Sequence, residues 1–179
     1  MSHLDPDPAN PPWVHPAQWL QANDALTRLC AARSSELGAL RHEAAQLLKG
    51  LEFLFQVLDQ LCAETCAFCK DPCCLHARPW FDFKDLVFMH VAALSVPLSQ
   101  VLTDFSSPCR FAGPQGCTLP RLSRPWICTW YICPAQKELL GRFPAPVRSG
   151  FQKGLEEIKE GRKRLEDGFI ALVCSRPGS

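Results

Sequence analysis

Apolar residues return at alternating three- and four-residue steps along one stretch of this chain: Leu37, Leu40, Ala44, Leu47, Leu51, Leu54, Leu58 and Leu61. That is a heptad seam, sustained for roughly three and a half heptads. It predicts one long amphipathic helix starting near Ser34 or Ser35, either of which can cap it. Leu48 and Phe55 widen the stripe. Gly38 and Gly50 weaken it by up to about 1 kcal/mol each, and Gly50 is where it can bend. A second seam runs through Phe151, Leu155, Ile158, Leu165, Phe169 and Leu172, with Arg162 at the missing step. It predicts a C-terminal helix over about 147–173, set off by Pro144 and Pro146. Ahead of the first seam, Pro16 suits the first turn of a shorter helix, and Trp19, Leu20, Leu26, Leu29 and Cys30 mark its apolar positions.

Between the seams the periodicity breaks up. Asp82 can cap a short helix carrying Leu86, Val87, Met89, His90, Val91 and Leu94,. Ser95-Val96-Pro97 reads as the start of another, ending near Asp104, and Ser106–Pro120 as loop, given its prolines and glycines,. Strand signals are sparse, since Trp130-Tyr131-Ile132 is too short to carry a sheet. The expected fold class is therefore all-α, with irregular Cys-rich loops. Its long helical arms would pack as a hairpin or bundle beside the central module; each stripe packing on the module, or on a second copy, is the other option. The expected division is a disordered lead-in over 1–15, then a single domain over 16–179. Within that domain, helices fill 16–65, a Cys-rich module 66–133 and the C-terminal helix region 144–173.

Cysteine spacing changes the picture more than any other feature. Of eleven cysteines, eight fall in one pattern: Cys66, Cys69, Cys73, Cys74, Cys109, Cys117, Cys128 and Cys133. A Cys-x-x-Cys turn such as Cys66–Cys69 brings two sulfurs to one side of a tight loop at little closure entropy. Cys109 and Cys117 bracket a second loop, and Cys128 and Cys133 a third. Cys73 and Cys74 are adjacent, with Cα atoms about 3.8 Å apart, too close for an unstrained disulfide. In extended backbone they point to opposite sides. Clustered thiols at this spacing are the donor set of a zinc or iron–sulfur site. Eight of them satisfy two four-cysteine sites, or one such site with a structural remainder.

The 179 residues carry a net charge of +1, so charge lends nucleic-acid binding no support,. No run approaches the roughly 18 apolar residues of a membrane span. The N-terminus lacks the basic start and apolar run of a secretory signal, so the expected compartment is the reducing cytoplasm. There, cysteines serve metals or redox chemistry more often than disulfides. Lys70, Arg78, Arg110, Arg121 and Arg124 can offset thiolate charge or form an ordinary solvated face. Arg124, before Pro125, suits hydrogen bonds to sulfur or to carbonyls of the ligand loops.

The run Cys66-x2-Cys69-x3-Cys73-Cys74, then Cys109…Gly116-Cys117, then Arg124-Pro125-x2-Cys128-x4-Cys133, resembles the YkgJ-like cysteine-cluster family, described by a zinc- or iron-chelating CxxCxxxCC domain. The resemblance covers roughly residues 66–133 and implies metal chelation by those eight cysteines. It departs at Lys70-Asp71-Pro72, where a glycine is often found, and at Leu119-Pro120-Arg121, where relatives tend to carry an aliphatic–aromatic step. A flagellin lysine N-methylase among the relatives admits a catalytic role.

The expected function is thus a metal-binding protein chelating zinc or iron, the iron alone or as a 4Fe–4S cluster. The alternative is an iron–sulfur enzyme in redox or group transfer, and a carrier or sensor of metal is a third reading. A protein partner on the helical arms is a further expectation; no membrane or nucleic-acid partner is. No nucleophile motif, phosphate loop or paired-carboxylate pattern stands out. Asp82 and Asp85 read as helix-cap and first-turn charges, and His90 as a packed core histidine. Trp126, Trp130 and Tyr131 would exclude water from the cluster. Cys30, Cys62 and Cys174 lie outside the pattern: Cys62 reads first as a small buried apolar residue and His76 as a solvent-facing loop histidine, each only in reserve as a ligand.

Overall fold

The two apolar seams bury each other. The computed structural model describes residues 12–102, 109–113 and 116–175. Two long helices dominate it, α2 (Gly38–Thr65) and α7 (Ala145–Cys174), in keeping with the paired arms expected from the heptads; α1 (Pro16–Ala32) precedes them. Ala44, Leu47, Leu51, Leu54, Leu58 and Leu61 of α2 are buried, with Val57 beside them. They meet Phe151, Ile158, Leu165 and Phe169 of α7. Leu40, Leu155 and Leu172 are half-buried at the seam's edges. Glycine sets the closeness of the contact. A Cβ added at Gly161 would stand 2.6 Å from Leu47 Cδ2, and one at Gly50 would stand 2.8 Å from Ile158 Cδ1. The helix runs unbroken through Gly50, so that residue serves close approach and not a bend.

This yields a prediction. Gly161→Leu should overpack the seam and lower stability by about 1–3 kcal/mol. Gly38→Ala, where an added Cβ meets nothing, should not lower it. Urea midpoints read both, and equal values would contradict the packing.

A shorter helix, α4 (Phe83–Val91), lies against α7 and α1 and fills the core with Leu86, Val87, Phe88 and Met89. Its N-terminus carries a reciprocal capping box. Asp85 N donates to Asp82 Oδ1 at 2.7 Å, and Asp82 N to Asp85 Oδ2 at 3.0 Å,. The helix ends at Val91, short of Leu94, with Ala93 in left-handed backbone at φ 53°. From α1, the buried Trp19 stacks on Phe81 at 5.6 Å and donates Nε1–H to Pro97 O at 3.0 Å. Leu20 and Leu29 of the same stripe are exposed.

Several expected boundaries differ. Ser34 and Ser35 do not cap α2; Leu37 takes the N-cap position with no side-chain bond. Arg41 Nη2 instead holds the Ser34 hydroxyl at 3.2 Å. No helix forms over 95–102. The buried Gln100 side chain competes for the backbone there, accepting from Phe81 N at 2.7 Å and Val101 N at 3.0 Å. Residues 103–108, with the expected helix end, lie outside the described residues, as does 1–11 of the expected lead-in. Within the expected loop a two-residue hairpin forms, β1 (Ala112–Gly113) antiparallel to β2 (Gly116–Cys117), pairing Ala112 with Cys117. Two one-turn helices complete the module, α3 (Cys73–His76) and α5 (Ile127–Trp130). A helix not expected from the sequence, α6 (Pro134–Gly141), follows, although Pro134 at its first turn is a helix-start signal,.

Candidate metal centre

Local geometry explains how each thiol is placed. Cys62 lies in the last turn of α2, and Cys66 opens the 3₁₀ turn Cys66–Phe68 that continues it. Residues four apart on a helix share a face, and the Cys66 backbone N–H closes this turn on Cys62 O. The chain then tightens, with Cys69 N donating to Cys66 O at 3.2 Å. Cys73 and Cys74 follow in α3. The hairpin turns back onto this region. Gly116, at φ 107°, has a backbone that favours glycine, and an added Cβ there would stand in ordinary contact with Cys66 Cβ, at 3.5 Å. Cys109 precedes the hairpin and Cys117 closes it, while Cys128 sits in α5 with its N–H on Pro125 O at 2.9 Å. Cys133 caps α6, its sulfur accepting from the Gln136 backbone and its N–H donating to Gln136 Oε1 at 3.2 Å.

The thiols act on one another electrostatically. Hydrogen bonding from Cys66 holds Cys62 well below the usual thiol range against the opposing effect of burial, and Arg121 and Arg124 add to the lowering. Cys66 is pushed up by the same bond, by burial and by the charge of Cys62. Cys73 is lowered chiefly by its bond with Cys74. Cys74 is raised by that bond, then by burial and by the charges of Cys73, Cys117 and Cys128. Burial takes Cys128 to about 12, with the charges of Cys117 and Cys109 adding to it. A run of mutual influence therefore links Cys62, Cys66, Cys73, Cys74, Cys117, Cys128 and Cys109. Each proton lost from one member makes the next harder to remove. A cation among them would relieve that repulsion.

Hydrogen-bond donors flank the run. Arg124 Nε donates to Leu119 O at 2.8 Å and Nη2 to Cys117 O at 3.2 Å, so it binds carbonyls of a candidate ligand loop. Arg121 Nη2 donates to Cys62 Sγ at 3.4 Å while its Nε holds Asp59 at 2.7 Å. Gln136 Nε2 reaches Cys62 Sγ at 3.4 Å and Cys66 Sγ at 3.7 Å. Farther in, Asp85 Oδ1 accepts from Trp126 N at 3.0 Å and from Arg162 Nη1 at 2.5 Å. Arg162 Nη2 also donates to Asp82 Oδ1 at 2.9 Å, and its guanidinium lies 5.4 Å from the Trp126 ring centroid. This cluster, with Arg162 and Asp85 buried and Asp82 half-buried, ties α7 and α4 to the backbone two residues before Cys128. The sequence placed Asp85 as a first-turn charge; the structure buries it as well.

Not every candidate joins. Cys69 is exposed, and Cys133 is engaged as a helix cap. Cys62, a reserve in the sequence, has the most polar contacts to sulfur. His76 is exposed and paired with Asp71 at 2.5 Å. Cys174 is exposed, and the half-buried Cys30 is raised by burial. His90 is half-buried, its Nε2 3.0 Å from Asn23 Oδ1, and burial pushes its pKa down. Trp126 packs on the core, but Trp130 and Tyr131 are about half exposed and meet edge-to-face at 6.2 Å, so they do not shield as expected. Arg110 stands over Phe111 at 4.6 Å, and Arg78 donates to His76 O and Ala77 O.

Among the described residues, no three Cys, His, Asp or Glu side chains are gathered as ligands of one ion. The sequence reading expects four converging sulfurs; the thiols stand instead as neighbours strung through the module. Their chemistry nonetheless fits a thiophilic cation, since all are free and the flanking donors suit thiolate,. Comparison with protein-family models, curated proteins and solved structures finds no match. No described helix is long and apolar enough to cross a membrane.

Proposed function

We propose that this is a metal-binding protein whose cysteine module chelates zinc or iron, the iron alone or as a 4Fe–4S cluster. The ligands are drawn from Cys66, Cys69, Cys73, Cys74, Cys109, Cys117, Cys128 and Cys133. The observation that carries the reading is the run of free thiols contributed by separate chain segments, with Arg121 donating to Cys62 Sγ and Arg124 to the Cys117 carbonyl. Resemblance to the YkgJ-like cysteine-cluster family supports the same conclusion. So does the construction of the module. Helices of four residues and strands of two cannot hold themselves together, and an ion bound across them supplies the missing cross-link. The metal's role is therefore structural, and the free thiols call for a reducing compartment, the cytoplasm. Binding draws the sulfurs inward from their present spacing. The apolar stripes of the arms cover each other, so a protein partner would read their charged outer faces.

Single substitutions test this. Cys128→Ser and Cys66→Ser should purify with little metal, and Cys174→Ser with as much as the parent. Elemental analysis of anaerobically prepared protein reads all three, and a visible spectrum separates a brown iron–sulfur protein from a colourless zinc protein. Equal metal content in every variant would sink the proposal.

A further inference from the structure

We propose that Cys62, which lies outside the CxxCxxxCC spacing, is itself a metal ligand and clamps the ion together with Cys66. This rests on the metal-binding reading above and deepens it. One helical turn separates the two residues, so a single rigid element presents both sulfurs on one face,. Sulfurs bound to one tetrahedral zinc, with bonds of about 2.3 Å, stand about 3.8 Å apart. Both sulfurs already lie against one amide nitrogen, that of Gln136, so side-chain rotation alone can bring them to that separation.

The surrounding donors distinguish this sulfur from a packing cysteine, which would be lined by carbon. The Gln136 amide nitrogen reaches both sulfurs, at 3.4 and 3.7 Å. Its orientation is set from the other end, where Oε1 accepts Cys133 N. The Arg121 guanidinium donates to Cys62 Sγ at 3.4 Å and is held in turn by Asp59. Amide and guanidinium N–H groups directed at sulfur are the outer contacts that orient and neutralise thiolate ligands. The Thr65 hydroxyl adds a weaker contact to Cys66 Sγ at 3.9 Å. No such donors reach Cys30 or Cys174 among the described side-chain hydrogen bonds.

The test uses the full chain, stripped of metal and kept anaerobic, and titrated with zinc or ferrous ion against a chromophoric chelator. Cys62→Ser should weaken binding by at least about tenfold, the low end of what even an outer contact costs, and Cys30→Ser should leave it unchanged. The parent protein supplies a second readout that needs no variant. Added zinc should protect Cys62 and Cys66 together from N-ethylmaleimide, mapped by mass spectrometry. Unchanged binding in Cys62→Ser, or alkylation of Cys62 that zinc does not slow, would overturn the assignment while leaving the metal-binding reading in place. A parent protein that takes up neither metal would overturn both.

Discussion

Arg162→Met is expected to destabilise the fold by about 3–5 kcal/mol, the usual cost of breaking a buried ion pair from one side. Arg162 and Asp85 are each 5 % exposed, so neither charge has water to fall back on. Burial already pushes the Asp85 carboxyl up, to about 6, and the Arg162 charge is the main influence pulling it back. Burial opposes the charge on Arg162 too, but there the two carboxylates prevail and raise its pKa. With methionine in its place, Asp85 must either stay charged without a partner or take up a proton. A folded-state pKa above the unfolded value of about 3.9 means that the fold binds that proton more tightly. Without Arg162 the folded-state pKa rises further, so the deficit of the variant should be largest at high pH, shrink as the pH falls and level off below about 6, where the parent's Asp85 is protonated too,. Urea midpoints at pH 5 and pH 7.5 measure both parts. A loss below 1 kcal/mol, or one growing on acidification, would contradict the role assigned to Arg162. Because Asp85 also holds Trp126 N, the turn ahead of Cys128 should loosen too, and its thiol should alkylate faster.

Removing the proposed metal is the second large effect expected. At a free ion concentration a thousand times the Kd, binding contributes about 4 kcal/mol, or roughly 8–16 °C of Tm for a chain of this size. The loss should be local. Helices α2, α4 and α7 share a core with no cysteine among its buried residues, whereas α3, α5 and the hairpin have almost none of their own. A chelator should thus open protease sites within residues 66–133 and leave most of the helical circular dichroism intact. Acid should act in the same direction, since protons compete with the ion for thiolate. A Tm unmoved by chelation would argue against a structural ion.

The arms were legible because burial along a helix leaves a periodic trace. Leu47, Leu51, Leu54 and Leu58 face Phe151, Ile158, Leu165 and Phe169 as their spacing implied. Asp82 was legible as a cap, and Arg124 as a residue bonding carbonyls of a candidate ligand loop, because each acts on backbone a few residues away. What stayed hidden depends on distant partners. Gly50 read as a weak point in a helix until the opposing helix shows it to be a contact position, as it does Gly161. Arg162 read as a gap in a seam, since nothing local announces Asp85 from 77 positions away. Gln100 stopped an expected helix by bonding to Phe81, 19 residues earlier. Cys62 fell outside the motif because a helical i,i+4 pair does not look like a Cys-x-x-Cys turn; its interval to Cys66 on a continuing helix was the available signal.

X-ray absorption at the metal edge of anaerobically purified protein addresses the central claim, that thiolates from separate segments surround one ion. Sulfur neighbours at about 2.3 Å, numbering close to four, are expected. A first shell of oxygen and nitrogen alone, or protein that purifies with no transition metal, would contradict it.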